Sequence, residues 1–584
     1  MGSLSQLFLH PTATSNYSFA CALAAKWPSL IRRRRRLQRS ALIACESSDE
    51  HELTLDRRDV LVGLCGAAAA ASGGLGIDSN PAALARPIQA PDFSKCGPAV
   101  LPPGATPVDC CPSYSKAIKD FNLPRRSSPL RVRPAAHLVD ADYLARYTKA
   151  VELMKALPAD DPRNFTQQAN VHCAYCDGAY DQIEFPDLEI QVHNSWLFFP
   201  WHRFYLHFHE RILGKLIGDD TFALPFWNWD APGGMRMPSI YTDPSSPLYD
   251  SFRGARHQPP ALVDLDFNGT EPDFSYARQV DHNLKIMYRQ VISGGKTPFL
   301  FLGSAYRAGD EPNPGAGSLE NIPHNTVHTW TGDSTQPNRE DMGNFYSAAR
   351  DPIFFAHHAN VDRMWYLWKK VGGRRLDFDD NDWLDATFLF YDENAELVRV
   401  TIKDSLEPEW LRYTYQDVEI PWLRTPPTPA KKASASPRNL ERSSSTATAE
   451  AGRFPVVLKA PVSFAVRRPK VSRSGKEKEE EEEVLIVEGI EYERDNFIKF
   501  DVLVNATEGV SPGESEFAGS FVNVPHEHKH SKKEKKVRTR LRVGITDLLE
   551  DIGAEEDESV LVTIVPRAGK GKVSVGGIAI DFSK

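Results

Sequence analysis

The stretch HNSWLFFPWHRFYLHFHE, residues 193–210, decides the fold of the central part of this 584-residue chain. Seven of its eighteen residues are Trp, Phe or Tyr and four are His, whereas only Arg203 and Glu210 carry a full charge. Apolar residues recur at helical spacing from Trp201 to Ile217. The stretch therefore predicts a helix buried in a core, with histidines among its aromatic residues.

Helical apolar spacing recurs on both sides of this stretch. It covers Val139 to Leu157 before it and Ala356 to Val371 after it. The segments between are rich in Pro, Gly and Asp, which favour loops. Residues 137–372 therefore predict a mainly α-helical bundle with long loops, and residues 373–424 predict a continuation of the same core.

The composition changes after residue 424. Residues 425–452 are mostly Pro, Ser, Thr, Ala and charged residues, which predicts a flexible linker open to proteases. Alternating apolar runs such as VLIVEGIEY and FIKFDVLVN follow, so residues 453–584 predict a separate antiparallel β-sandwich. Within it, the run KEKEEEEE at 476–483 predicts a solvated hairpin loop. The expected fold class is a multidomain chain with a helical core and a C-terminal β-sandwich.

The first 85 residues have the composition of a targeting segment. The first 45 contain seven basic residues and no Asp or Glu. Arg57 and Arg58 precede a weakly apolar run at 60–77, and Ala83-Leu84-Ala85 offers small residues to a signal peptidase. We expect cleavage before Arg86 and no membrane span in the mature chain. The two successive signals resemble those of plant proteins sent through the chloroplast to the thylakoid lumen.

Charge and cysteine usage narrow the class of protein. The chain carries 69 Lys and Arg against 78 Asp and Glu, a net charge of -9, which disfavours nucleic acid as the main partner. The mature chain has five cysteines, all early in it: Cys96, Cys110, Cys111, Cys173 and Cys176. Such clustering in an exported chain predicts two disulfides that pin the N-terminal arm, residues 86–136, to the helical domain, with one thiol left over.

The histidines form two groups. Nine of the seventeen lie in two short windows: His172, His193, His202, His207 and His209 in one, and His324, His328, His357 and His358 in the other. His324 and His328 are four residues apart, which on a helix places both imidazoles on one face, where they can hold one metal ion. Because a second group of similar size also lies among aromatic residues, we expect a histidine-ligated metal centre.

Four motifs are shared with a known family: HCAYC at 172–176, the stretch at 193–210, HNTVH at 324–328 and DPIFFAHHANVDRMW at 351–365. They resemble the two copper-binding regions of the plant polyphenol oxidases, the catechol oxidase and tyrosinase family. Three further features resemble the later signatures of that family: DWLDATFLFYDENAEL from residue 382, the pair Tyr413 and Tyr415, and KFDV at 499–502. The resemblance extends over almost the whole chain.

The resemblance implies two copper ions held by six histidines. The ligands would be His172, His193 and His202 for copper A, and His324, His328 and His358 for copper B. Neighbouring residues on a helix point about 100° apart, so only one of His357 and His358 faces the metals. We choose His358, because Asp362 four residues later can orient an imidazole or stabilise the helix. Three neutral nitrogens per ion without a carboxylate suit copper.

The remaining histidines have simpler interpretations. We interpret His207 and His209 as core residues or as supports for the ligands. His526, His528 and His530 lie in the charged segment PHEHKHSKKEKK and are expected to be solvated.

The resemblance also assigns the cysteines. Cys176 stands where the family has a thioether to a copper-ligating histidine, here His193. The two disulfides would join Cys96 to Cys111 and Cys110 to Cys173.

Three residues would act on the substrate. Phe345 matches the aromatic gate of the family, with simple core packing as an equal alternative. Glu320 and Asn325 match residues that hold a water able to deprotonate a monophenol, since a carboxylate bonded to water can relay a proton. Glu320 also suits the start of a helix. Monophenol hydroxylation therefore stays open.

The expected function is oxidation of catechols to o-quinones with reduction of O₂ to water. O₂ and small phenols would be the partners, and the oligomeric state is not predicted. The C-terminal β-domain would cover the copper site, so that the uncut chain is a latent proenzyme. The alternative is a haemocyanin-like oxygen carrier, which releases O₂ unchanged. A zinc protein is a third interpretation, but six histidines without a carboxylate or Cys ligand are unusual for zinc.

Overall fold

The computed structural model describes residues 86–430, 454–507, 509–527 and 536–583. The predicted targeting segment, 1–85, and residues 431–453 of the predicted linker lie outside the described residues. Within the described ranges, no helix is long and apolar enough to cross a membrane. The helical part and the β-rich part belong to one unit.

The described residues contain eleven α-helices: α1 (Ala141–Lys155), α2 (Phe165–Cys176), α3 (Phe198–Ile217), α4 (Tyr276–Tyr288), α5 (Pro298–Phe301), α6 (Asn325–Thr331), α7 (Phe345–Ala348), α8 (Ile353–Val371), α9 (Asn381–Leu384), α10 (Gly475–Glu480) and α11 (Thr546–Asp551). Arg289–Ser293 and Glu320–His324 form single π-helical turns. The three predicted helices correspond to α1, α3 and α8. Helix α3 begins three residues earlier than predicted, because Pro200 lies in its first turn, where a missing N–H is harmless.

Helix α3 lies at the centre of the helical domain. Every residue from Phe198 to Glu210 is buried, as its aromatic composition predicts. The helix packs against α1 on one side and α8 on the other, and it ends at Gly218, whose φ of 67° is the left-handed conformation that glycine adopts readily. The buried face of α3 carries His202 into the interior.

The strands are β1 (Ile118–Asp120), β2 (Arg131–Arg133), β3 (Asp181–Gln182), β4 (Phe185–Glu189), β5 (Thr387–Tyr391), β6 (Leu397–Thr401), β7 (Tyr413–Tyr415), β8 (Val456–Val457), β9 (Val462–Arg467), β10 (Glu482–Glu493), β11 (Ile498–Val504), β12 (Phe517–Asn523), β13 (Lys536–Gly544), β14 (Ser559–Ala568), β15 (Val573–Val575) and β16 (Gly577–Ser583). In the helical domain, β1-β6-β5 form one small sheet, while β2 pairs with β7 and β3 with β4. Residues 373–424 thus extend the helical domain through β5, β6 and β7.

The C-terminal part is a β-sandwich, as predicted. One sheet has the order β13-β10-β15-β8, with β16 also paired to β10, and the other has the order β12-β11-β14-β9. Side chains of both sheets, among them Leu485, Phe500 and Val562, share one hydrophobic core. The sandwich also packs against the helical domain, because Val522 and Val524 belong to the helical domain's core.

The prediction of a solvated hairpin loop at 476–483 is wrong about the loop and about the last two residues, whereas residues 476–480 are not buried, as expected. Residues 475–480 form helix α10, whose start is capped by reciprocal hydrogen bonds between Ser474 and Glu477. Glu482 and Glu483 are buried at the start of β10, and Glu483 pairs with Arg468 at 2.7 Å. The glutamate run looked solvated because a sequence pattern does not show that a buried arginine faces one of its members.

Candidate copper centre

Three elements carry the first histidine group to one place. His172 lies on α2, His193 on the loop before α3, and His202 on α3 itself. The His172 ring centroid lies 5.1 Å from that of His193 and 5.9 Å from that of His202, and the His193 and His202 centroids are 5.0 Å apart. All three side chains are almost completely buried.

The second group closes the site from the opposite side. His324 ends the π-helical turn before α6 and His328 lies one turn later, with ring centroids 4.6 Å apart. His358 on α8 points its Nε2 at the Nε2 of His328, 3.1 Å away, and its ring stacks on His202 at 4.2 Å. The six predicted ligands therefore surround one buried space.

Hydrogen bonds orient five of these rings. The Nδ1 atoms of His172, His202 and His328 each contact a backbone carbonyl at 2.8 Å, belonging to Phe345, Phe198 and Met342 in turn. A carbonyl accepts only, so each Nδ1 carries the proton and each Nε2 keeps its lone pair. The Nδ1 of His193 lies 3.2 Å from Gln191 Oε1, and that of His324 lies 2.9 Å from Asn325 Oδ1.

The inward nitrogens are the ones that a metal would take. Within the described residues, the Nε2 atoms of His172, His193, His202 and His324 are buried without a hydrogen bond. Burial lowers the pKa of His172 to about 3 and that of His328 to about 4, and it lowers the other ring pKa values further from their ordinary range. Neutral imidazoles with buried, unused lone pairs fit copper, and no carboxylate belongs to the two clusters in the described part of the chain.

His357 and His358 differ in their tautomers. The indole N–H of Trp229 donates to His357 Nδ1 at 3.2 Å, and an indole nitrogen is a donor only. His357 Nδ1 is therefore an acceptor, so the proton of the neutral ring is on Nε2. A protonated Nε2 does not bind a metal, but His357 and His358 both belong to the second cluster of possible ligands, so the choice of His358 stays a prediction.

Asp362 does not orient an imidazole, contrary to one of its two expected roles. Its carboxylate accepts from Arg203 Nε at 2.5 Å and from Arg133 Nη1 at 3.3 Å. The hydroxyl groups of Tyr413 and Tyr415 donate to it as well. Asp362 therefore ties α8 to α3 and to the β2–β7 pair, and it holds in place the helices that carry His202 and His358.

His207 and His209 lie away from the site, as expected of core residues. The His209 ring stacks on Phe355 at 3.5 Å, and His207 contacts Phe121 edge to face at 5.9 Å. Both are buried without a charged partner, and burial lowers both pKa values.

The cysteines pair as the resemblance implies. The structure forms the disulfides Cys96–Cys111 and Cys110–Cys173, and Cys173 lies on α2 one residue from His172. Cys176 is a free, buried thiol, whose Sγ lies within 4.8 Å of ring nitrogens of His172 and His193. Burial raises the pKa of this thiol, so it is neutral near pH 7.

Phe345 lies between the copper site and the C-terminal domain. Its ring stacks on His193 at a centroid distance of 4.1 Å and on His526 at 4.9 Å. Its backbone N–H donates to the carbonyl of Pro525 at 3.3 Å. Because His526 is only 1% exposed, its expected solvation is wrong. His528 and His530 lie outside the described residues.

The residues Val522 to His526, which we call the cap segment, cover the site. The Asn325 side-chain amide donates to the carbonyl of Val522 at 3.0 Å, and the Val522 N–H donates to Asn321 Oδ1 at 3.3 Å. Sequence reasoning missed this contact. The apolar residues of VNVP, which directly precede the first histidine of the charged segment, were the signal of burial.

Glu320 is a buried carboxyl beside the site. Its Oε1 accepts the backbone N–H of Asn194 at 2.6 Å, while Oε2 has no hydrogen bond within the described residues. Burial raises its pKa well above the ordinary range, because no nearby cation offsets the loss of water. Such a carboxyl can hold or release a proton at Oε2.

Comparisons with known proteins agree with this architecture. Three family models match in succession: the common central domain of tyrosinase over residues 162–371, the polyphenol oxidase middle domain over 377–428, and the chloroplastic polyphenol oxidase C-terminal domain over 454–582. Together they cover the helical domain from α2 onward and the β-sandwich.

Individual relatives are similar over most of their length. A chloroplastic polyphenol oxidase of Malus domestica is 58% identical, covering 92% of this chain and 91% of its own. Aureusidin synthase of Antirrhinum majus is 54% identical, covering 85% and 89%. The solved structure of a latent apple tyrosinase superposes with a TM-score of 0.76 at 60% identity, covering 80% of this chain and all of that one.

Fold and site therefore define a tyrosinase-type copper protein, an oxidoreductase of phenols whose cofactor is a pair of copper ions. Within that class, the chain belongs to the plant polyphenol oxidase family, since two of the three domain models are of polyphenol oxidases and the Malus domestica enzyme is 58% identical over 92% of this chain.

Proposed function

We propose that the chain is a catechol oxidase made as a latent proenzyme. The observation that carries the proposal is the buried cluster of six imidazoles, in which neighbouring ring centroids lie 4.2 to 5.9 Å apart. His172, His193 and His202 would hold copper A, and the ligands of copper B would be His324, His328 and His358. When bound, the copper pair would supply the two-electron oxidation of each of two catechols to o-quinones, and these four electrons and four protons would reduce one O₂ to two waters.

The chain's own residues prepare the site for this chemistry. The three backbone carbonyls that fix the Nδ1 protons keep the Nε2 lone pairs directed inward, so little reorganisation is needed when metal binds. Phe345 offers an aromatic face parallel to His193, against which a phenol ring can stack. The surrounding aromatic residues exclude water from the site.

Oxygen uptake by the copper-loaded chain lacking residues 425–584, with catechol as substrate, tests the activity. We expect uptake together with o-quinone absorbance, whereas an oxygen carrier would bind O₂ without forming quinone. His328→Ala should lose copper and catechol oxidation together. The matched control is His282→Ala, a buried histidine outside the site, which should keep both. Full activity and full copper in the His328 variant would refute the ligand assignment.

Latency is supported by the cap segment. His526 and the Pro525 carbonyl both contact Phe345, so a phenol has no space to stack there while the β-sandwich is docked. We expect residues 86–584 to show low catechol oxidation, and residues 86–424 at equal copper loading to show at least tenfold more. Equal turnover by the two chains would mean that the β-sandwich is not a shield.

Hydroxylation of monophenols, in addition to oxidation of catechols, needs a group that takes the phenolic proton. Glu320 and Asn325 would hold a water that takes the phenolic proton, with the Glu320 carboxylate as the acceptor. In the docked chain the Asn325 amide donates to Val522 instead, so removal of the β-sandwich frees that amide for the water. Any monophenol activity is therefore expected only after cleavage.

Two further features belong to the proposal. Cys176 would form a thioether with a ring carbon of His193, and O₂ would be the oxidant that takes up the two electrons and two protons released. The peptide mass would then be two hydrogens lighter than the sum of its residues. A Cys176→Ser chain would show the unmodified mass.

We also propose import into the chloroplast and its thylakoid lumen, on the basis of the signals in residues 1–85 and the chloroplastic relatives. Fractionation of chloroplasts after import of the full chain would test this location.

A further inference from the structure

A cleft of about 580 Å³ lies between the helical domain and the β-sandwich. Residues 337–339 and Asn344 form one wall, while Phe497, Pro525, His526 and the turn at 568–572 form the other. This volume suits a molecule of one or two rings. Asn344 directly precedes Phe345 in the chain, and His526 stacks on the Phe345 ring. The cap segment over the copper site therefore forms the inner end of the cleft.

Arg339 is the unusual residue of this cleft. Its guanidinium lies over the Phe497 ring, 5.1 Å from the ring centre, burial lowers its pKa, and within the described residues it forms no ion pair. Its backbone is held at a φ of 64°, a conformation that costs energy in a residue other than glycine. Strained residues with half-buried, uncompensated charge are typical of binding sites.

Two lysines of the β-sandwich add positive charge from the opposite wall. Lys570 and Lys572 are exposed on the turn at 569–572, and Lys572 donates to the Asn496 side chain rather than to a carboxylate. Gly569 in this turn packs closely on the Ile498 side chain, since a Cβ there would lie 2.2 Å from it. Among the described residues, the lining of the cleft thus has three cations against the two carboxylates Asp495 and Glu527.

The cations and the aromatic ring of the cleft indicate which kind of ligand it would bind. A planar guanidinium recognises a carboxylate with two parallel hydrogen bonds, and the Phe497 ring beside it offers a face for aromatic stacking. We propose that this cleft binds a small aromatic carboxylate, of the class of phenolic acids, and that the bound acid holds the β-sandwich over the copper site. The effect of the acid on docking rests on the proposed latency, whereas the binding of the acid does not.

A ligand that binds both domains at once should strengthen latency. A ligand that contacts Arg339 on one domain and Lys570 or Lys572 on the other binds only the docked arrangement. It therefore stabilises docking in proportion to its occupancy. A tenfold excess of the acid over its dissociation constant would raise the docking equilibrium constant about elevenfold.

Calorimetric titration of the copper-loaded chain 86–584 tests the binding. The probe is 4-methoxycinnamate, which has no phenolic hydroxyl to oxidise. We expect one site, binding at least tenfold weaker in Arg339→Gln, and unchanged binding in Arg256→Gln, an exposed arginine outside the cleft. If Arg339→Gln fails to fold, the double variant Lys570→Gln and Lys572→Gln, on an exposed turn, should weaken binding as well.

Three results would overturn the inference about the ligand. The first is equal binding by the Arg339 or double-lysine variant. The second is equal binding of the uncharged amide, 4-methoxycinnamamide, or of inorganic phosphate, because the site would then not read an aromatic carboxylate. The third is equal binding by residues 86–424, which would place the ligand at the copper site.

Retention of the cleaved β-sandwich tests the effect of the acid on docking. In a chain cut within 431–453, 4-methoxycinnamate should increase the fraction of the C-terminal piece that stays bound during gel filtration. Unchanged retention despite binding would refute the effect on docking. Neither measurement requires turnover, so a failure here is separate from a failure of the proposed oxidase activity.

Discussion

The docking of the β-sandwich depends strongly on one buried lysine. Lys499 on β11 is fully buried, and its ammonium lies 3.0 Å from Asp266 of the helical domain and 2.7 Å from Asp501 of its own strand. Asp501 also accepts from Arg567 and Ser520, whereas the only ion pair of Asp266 in the described residues is with Lys499. We predict that Lys499→Met weakens docking, because it leaves Asp266 buried without a cation.

The magnitude follows from the cost of breaking a buried charge pair, about 3–5 kcal/mol. Burial and the Asp501 charge raise the pKa of Asp266 to about 8, so this carboxyl is mostly neutral at pH 7 and the lower figure is an upper bound on the loss. A loss of about 3 kcal/mol lowers the docking equilibrium constant roughly a hundredfold. We therefore expect the uncut Lys499→Met chain to oxidise catechol several times faster than the uncut parent.

The assay combines catechol turnover of the uncut chains with gel filtration of chains cut in the linker. Lys459→Met, an exposed lysine of the same domain, should behave as the parent. Lys499→Met with Asp266→Leu should regain much of the latency, because replacing both partners of a buried pair by apolar groups is nearly neutral. If Lys499→Met is as latent as the parent, or the double variant is as active as the single one, the reasoning is refuted.

Because the pKa of Asp266 is raised, docking of the β-sandwich should depend on pH. The docked chain binds the Asp266 proton more tightly than the undocked chain, where water reaches this carboxyl. This contribution to docking is complete below the ordinary carboxyl pKa and is lost as the pH rises through about 8. Docking of the cut parent should therefore weaken between pH 6 and pH 9, and Asp266→Asn should remove this dependence.

Three other changes have defined outcomes. In the cleaved enzyme, Glu320→Gln should reduce hydroxylation of monophenols far more than oxidation of catechols, and equal losses would indicate a structural role. His526→Ala should raise catechol turnover of the uncut chain, though less than cleavage does, and no change would exclude His526 from the cap. Burial and the Asp351 charge raise the pKa of Asp250 to about 6, and burial and the Asp250 charge raise that of Asp341 to about 8, so their stabilising effect is lost as the pH rises through this range. The melting temperature of the parent should fall between pH 5 and pH 9, and it should fall less in Asp341→Asn.

Much of the copper site could be predicted from the sequence. Spacing of four residues placed His324 and His328 on one helical face, and dense aromatic residues identified α3 as buried. Both properties depend on local geometry, which a sequence pattern records directly. The choice of His358 over His357 stays a prediction, and the structure gives it a different basis from the one expected. Asp362 bonds to arginines and tyrosines, and the tautomer of His357 depends on Trp229, which is 128 residues away.

The sequence by itself therefore determined the histidine set, the helical core, the β-sandwich and the division between them, because these depend on periodicity and composition. Only the tertiary structure decided what covers the copper site and what holds the cover. His526 and Glu483 look solvated beside their charged neighbours, yet one stacks on Phe345 and the other pairs with a buried arginine. Lys499 meets Asp266 across 233 positions of sequence. Burial of a charged residue depends on a partner brought by the fold, and no local pattern records that partner.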